Sequence, residues 1–164
     1  MAPRSWQPST LEVWELAARE HVRDVVAHYN LAGDRGHVDD MMSLFAPDAV
    51  LNIDGVAHTG HTDIRALLTD AKSPHPELIR HFTATLQIEV PAPDRASARC
   101  YFQVLTVHGL DHWGRYTDRF VCRDGRWRFS HRSVRVDGAT PGGWASVRSG
   151  RSHGVEEPGR HDVP

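Results

Sequence analysis

Residues 21–51, HVRDVVAHYNLAGDRGHVDDMMSLFAPDAVL, decide how the rest of the chain is read. They read as the end of a long amphipathic helix, a break between Gly33 and Gly36, a short second helix and the entry into a strand. Val22, Val25, Tyr29 and Ala32 extend a stripe begun by Trp14 and Ala18 at spacings of three or four, which is one face of a helix. Ser9 with Glu12 forms a capping box that predicts where this helix starts. After the break, Val38, Met41, Met42 and Phe45 keep the helical period, and Pro47 predicts its stop. Tyr29 lies on the apolar stripe and Asp34 lies where the helix gives out, so a phenol and a carboxylate come near one interior.

Working outward, residues 49–53 read as a strand closed by the turn pair Asp54-Gly55. Ile64, Leu67 and Leu68 within residues 62–71 predict a third helix, ended by the SPHP run at 73–76. From residue 78 the period changes to two, predicting strands over 78–90, 96–108, 113–123 and 126–136. Helices followed by an antiparallel meander make an α+β fold. A sheet this long must curl, and the three helices are expected to close one side of a cone. Residues 1–8 are a Pro-punctuated lead-in and residues 9–137 the domain. Residues 138–164, rich in Gly, Ser and Arg, read as a disordered tail or as a flap anchored by Trp144 over a pocket mouth.

The 164 residues are 40% apolar and 24% charged, the composition of one globular domain. A formal charge of −2 offers no basic excess for a nucleic-acid partner. Lys72 is the only lysine, and the arginines that replace lysine elsewhere do not cluster into a motif. Cys100 and Cys122 lack a CxxC arrangement and read as free thiols of a reducing compartment. No apolar run approaches the roughly 18 residues of a membrane span, and the N-terminal residues have no signal core. The expectation is a soluble cytoplasmic protein without a membrane partner. The 12 histidines include no HExxH, and neither His58-x-x-His61 nor His108-x-x-x-His112 has a third ligand nearby, so no metal is expected. Without a Gly-rich phosphate loop, no nucleotide cofactor is expected either.

Five segments in order resemble the nuclear-transport-factor-2-like superfamily, especially its SnoaL-like branch: HYNLAGDRGHVDDMMSLFAPDAVL, TGHTDIRALL, IRHFTATLQIEV, ASARCYFQVL and GRYTDRFVCRDGRWRFSHRSVRVD. The resemblance spans roughly residues 9–137. It implies a conical α+β barrel around a deep, mostly apolar cavity, assembled as a dimer or trimer. Members of that superfamily include dehydratases, polyketide cyclases, isomerases, epoxide hydrolases and non-catalytic subunits. Function therefore has to be argued from the site.

Tyr29, Asp34 and His81 are the catalytic candidates. Tyr29 matches a tyrosine of the family's dehydratases and isomerases that polarises a substrate oxygen; the bland alternative is a core tyrosine. Asp34 is five residues on, about 140° around an ideal helix, so the two share a face only if the helix loosens. His81 opens an inward set with Thr83 and Thr85, and Phe82, Ala84 and Leu86 alternate to the other side. The Arg80-His81 pair resembles the dehydratase-like members, whose histidine is catalytic. Bile-acid dehydratases orient that histidine with a strand aspartate; Val104 matches that position here, leaving Asp34 or His108 to do so. An epoxide-hydrolase Arg-x-Asp is replaced by Arg99-Cys100-Tyr101. An isomerase base would need Asp54 in place of Ile53. Phe45, Thr83, Thr85, Phe102, Val104, His108, Tyr116, His131 and Arg135 are the expected pocket lining. Arg132 and Arg135 are each weighed between a polar substrate end and a solvated outer face.

Together these readings point to a cofactor-independent acid/base enzyme acting on a hydrophobic polycyclic, aromatic or polyketide-like molecule. The reaction would be a dehydration, cyclisation or double-bond shift. The competing class is a non-catalytic ligand-binding or assembly subunit on the same scaffold.

Overall fold

The computed structural model describes residues 10–70 and 78–145. Helix α1 (Val13–Asp34) buries Ala18, Val22, Val25, Val26, Tyr29 and Ala32 along one side. Ser9 of the expected capping box lies outside the described residues, and Glu12 holds the N-cap position without a side-chain cap. Trp14, expected on the buried stripe, is 43% exposed. Gly36, at φ +68°, breaks the chain before α2 (Val38–Ser43).

The second helix ends earlier than its period predicts. Phe45 and Pro47 belong to strand β1 (Phe45–Ile53), where Phe45 pairs with Phe129 and the ladder is bulged before Val50. A proline is tolerated in a sheet at such an irregularity. Asp54 and Gly55, both at positive φ, make the tight turn into β2 (Val56–Thr59), a strand the sequence reading had not anticipated. Helix α3 (Gly60–Asp70) follows; the SPHP run expected to end it lies outside the described residues.

The meander consists of β3 (Ile79–Ala92), β4 (Arg95–Thr106), β5 (Gly109–Arg123) and β6 (Arg126–Ala139). The sheet order is β2-β1-β6-β5-β4-β3, with β1 running parallel to β6 and the other ladders antiparallel. It is thus a curved, open six-stranded sheet with helices packed on its concave side, mainly α1 on β3 and β6 and α3 on β1. Alternation in β4 buries Ala96, Ala98, Cys100, Phe102, Val104 and Thr106 on the inner face. Beyond β6 the chain through Ala145 stays close to β5, where Thr140 donates its backbone N–H to Asp111 O at 2.7 Å.

Candidate functional site

Cross-strand register arranges the inner face into rows. The row nearest the end of α1 reads His81, Val104, His112 across β3, β4 and β5. Two rows further in come Cys100, Tyr116 and Val134, then Ala98, Asp118 and Arg132. The floor is Ala96, Phe120 and Phe129, with Phe45 beside them.

Asp34 is the last residue of α1, and its position at the helix end turns the carboxylate toward β3. His81 Nδ1 donates to Asp34 Oδ1 at 2.6 Å, and the backbone N–H of His81 donates to both carboxylate oxygens at 3.1 and 3.3 Å. The Asp34 side chain is 6% exposed and that of His81 20%. A carboxylate on Nδ1 fixes the proton there and leaves Nε2 as the working nitrogen. The helix does not need to loosen for this, because Asp34 and Tyr29 serve different rows.

Tyr29 belongs to the deeper group. Its ring meets Phe45 and Phe129 edge-on, with centroids 5.8 and 5.6 Å away. The Arg132 guanidinium carbon lies 4.2 Å from the Tyr29 centroid, 4.0 Å from Tyr116 and 4.5 Å from Phe129. Arg132 is wholly buried and forks onto Asp118 through Nε at 3.1 Å and Nη2 at 3.2 Å. Nη1 has no hydrogen-bond partner among the described residues. Burial raises the Tyr29 pKa, with the Arg132 charge opposing, so the phenol stays protonated. Burial also pushes the Asp118 carboxyl up to about 6 against the pull of Arg132, and raises the Cys100 thiol to about 11. A thiol held that far up is not a nucleophile at neutral pH.

A second imidazole–carboxylate pair stands at the other end of the His81 row. His112 Nδ1 donates to Asp111 Oδ1 at 2.7 Å, and the backbone N–H groups of Trp144 and Ala145 donate to the same carboxylate at 2.7 and 3.2 Å. The His112 ring meets Phe102 and Trp144 edge-on at 5.8 and 5.6 Å.

The expected lining residues divide by position. Phe45, Phe102, Val104 and Tyr116 are buried, Phe102 and Tyr116 being stacked at 4.4 Å, and Thr83 pairs with Phe102 on the inner face. Others lie elsewhere. Thr85 is exposed at φ +53°, in a bulge between Ala84 and Gln87, so Leu86, Ile88 and Val90 turn inward instead. His108 lies exposed in the β4–β5 turn, because the strand ends at Thr106. His131 pairs with Arg119 on the outer face, and Arg135, opposite Arg115, is exposed there too. Arg132 is the arginine that faces inward. Asp54 sits in the β1–β2 turn and accepts the Val136 N–H at 3.0 Å, a structural use of that carboxylate.

Asp118 and Asp111 were not singled out in the sequence, and His112 was weighed only in a metal-ligand spacing. Asp118 has a legible signal: it falls between Tyr116 and Phe120 in the buried phase of β5, opposite Arg132. Among the described residues, no three His, Cys, Asp or Glu side chains group as a metal site requires. No helix there is long and apolar enough to cross a membrane.

None of the curated proteins matches the chain. Solved structures do. A candidate scytalone dehydratase from Novosphingobium aromaticivorans is 18% identical with a TM-score of 0.67, covering 77% of this chain and 89% of that one. A hexachlorocyclohexane dehydrochlorinase, LinA-type3 from Novosphingobium barchaimii, is 21% identical with a TM-score of 0.67, covering 78% and 92%. The β subunit of a candidate aromatic-ring-hydroxylating dioxygenase from N. aromaticivorans is 20% identical with a TM-score of 0.64, covering 76% and 92%. At these identities they speak for the fold alone. The model of the SnoaL-like domain matches residues 14–133, and with the helices, the curved sheet and the His81 row in place, the chain belongs to the SnoaL-like family.

Proposed function

We propose that this chain is a cofactor-independent enzyme that removes a proton from carbon in a hydrophobic small molecule, with elimination of a group from the neighbouring carbon as the leading reaction. Cyclisation and double-bond migration begin with the same proton removal. The observation that carries the reading is the 2.6 Å contact between the nearly buried Asp34 carboxylate and His81 Nδ1. A buried carboxylate holds the ring in one tautomer and stabilises the imidazolium formed when Nε2 takes a proton. His81 is then the base and Asp34 its positioning partner.

Deeper in, the protonated Tyr29 hydroxyl and the unpartnered Nη1 of Arg132 supply donors for a substrate oxygen. Such donors act where negative charge develops, in surroundings that exclude water. Phe45, Phe102, Tyr116 and Val104 offer an apolar wall for a ring system. Two structural neighbours are named for eliminations, loss of water and loss of hydrogen chloride, and this agrees with the reading. Cys100 and Cys122 are both free thiols.

One observation favours an assembly role beside catalysis. Phe82, Tyr101 and Trp113 are 50%, 62% and 37% exposed on the outer face of adjacent strands, a surface suited to a second copy. Light scattering of the purified protein tests this; a monomer at micromolar concentration removes it.

The direct test of the chemistry uses hydrophobic ketones with an acidic neighbouring C–H, incubated in D2O and followed by mass spectrometry. Exchange or elimination by the native protein, lost in His81→Ala, is the expected result. Equal turnover by His81→Ala ends the proposal.

A further inference from the structure

The geometry points to His112 as a second proton-transfer residue of the His81 row, the acid that protonates the leaving group while His81 takes the proton from carbon. This rests on the reading of His81 as base. His81 and His112 occupy one row of the inner face, separated only by Val104. Two strand spacings put their backbones about 10 Å apart, a span that a substrate carrying its C–H and its leaving group on adjacent carbons can bridge between inward-reaching rings. Val104, between them in the row, is wholly buried and bears no polar atom.

Each ring is held in the same way. Asp34 accepts from Nδ1 of His81, and Asp111 accepts from Nδ1 of His112. The Asp111 contact engages Nδ1 of His112, and the side chain is 10% exposed. A histidine that served only to anchor the chain end would not be needed for that task, because Trp144 and Ala145 bind Asp111 directly. The charged groups around His112 are Asp111, His81 and, more distantly, Asp54. Burial is the largest influence and lowers its pKa, and a proton on His81 lowers it further. The protonated ring is therefore a strong acid placed beside a base.

The proton count closes on this arrangement. The reactive form carries the proton on His112 and not on His81; burial favours the neutral His112 ring, so this form gains population as pH falls. His81 Nε2 takes the proton from carbon, the C–H electron pair becomes the new double bond, and the bond to the leaving oxygen breaks. His112 Nε2 delivers its proton to that oxygen, so water departs. The pair carries one positive charge before and after, and repulsion between two charged rings is avoided at every stage. Solvent exchange then returns the proton from His81 to His112.

Leaving-group dependence tests the assignment. Two probes are a naphthyl β-hydroxy ketone, whose hydroxide needs a proton to depart, and its β-(para-nitrophenoxy) analogue, whose phenolate does not. In His112→Asn the side-chain amide still donates to Asp111 but has no nitrogen at the ε position. It is expected to lower kcat for the hydroxy ketone by roughly 10²-fold or more, with KM and turnover of the nitrophenoxy analogue little changed. His81→Ala is expected to lose both reactions. If His112→Asn leaves both rates unchanged, or lowers both equally, the assignment to His112 fails; if His81→Ala leaves both unchanged, the reading of His81 fails instead. An NMR titration of nitrogen-15 histidine needs no turnover. The midpoint of His112 is expected below that of a free histidine and to rise in His81→Gln; an unmoved midpoint overturns the coupling of the two rings.

Discussion

Arg132 and Asp118 face each other across β6 and β5, joined by hydrogen bonds of 3.1 and 3.2 Å with neither side chain open to solvent. Two charges so far from water cost several kcal/mol each to desolvate, and only their mutual geometry compensates. Arg132→Met would leave the carboxylate alone under Tyr29 and Tyr116. Its expected cost is about 3–5 kcal/mol, read from urea denaturation. The double variant Asp118→Leu with Arg132→Met should be less destabilised than the sum of the two single changes, because no orphaned charge remains.

Asp34 offers a separation of stability from chemistry. Asp34→Asn keeps an acceptor for the His81 backbone N–H but removes the charge that favours the imidazolium. Turnover should fall by about 10²-fold or more while KM holds, as expected for a loss felt only when the ring becomes charged. A KM change with kcat preserved would assign Asp34 to substrate binding.

Thr85 sits at φ +53°, a conformation costly for a β-branched residue, and its hydroxyl bonds only to the neighbouring Ala84 carbonyl at 2.7 Å. Thr85→Gly relieves the strain and touches no buried contact. A stability gain of about 1 kcal/mol by thermal denaturation is expected, with turnover unaffected because the side chain points to solvent. Loss of activity would return Thr85 to the pocket lining.

Acid should cost stability through His112. Its folded pKa is lowered from 6.5, so as pH falls the unfolded chain binds this proton first. Stability from this residue is therefore present above about 6.5 and declines as pH drops through the mildly acidic range. His131, lowered by burial and by Arg119, acts in the same direction. Asp118, raised to about 6, acts in the opposite one, its folded form gaining a proton before the unfolded form does. The difference between the native protein and His112→Asn isolates the first effect: their stabilities should move apart as pH rises from 5 toward 7. Parallel curves would mean that the ring is not buried as described.

The elements were largely legible, and the departures have local causes. Period-two alternation located the four meander strands, and the Asp-Gly pairs at 54–55 and 124–125, all at positive φ, marked two hairpins. Phe45 was misread because its spacing from Met41 and Met42 continues a helix, whereas pairing with Phe129 on β6 draws it into the sheet. Thr85 was misplaced because one bulge reverses the phase of every residue after it. His108 shares the inward parity of Val104, but a strand that ends at Thr106 has no inner face two residues later.

By itself, the sequence determined the helical stripe, the strand phases and the family to which they belong, because these depend on repeats that neighbouring residues share. It also brought Asp34 and His81 forward as candidates one at a time. That these two touch, that Arg132 and not Arg135 turns inward onto Asp118, and that His112 shares a row with His81 were decided only by the tertiary structure. Relationships between residues 14 to 47 positions apart depend on ladder register, bulges and the angle at which α1 crosses the sheet. No local pattern encodes those quantities, since each is set by how the whole curved sheet packs.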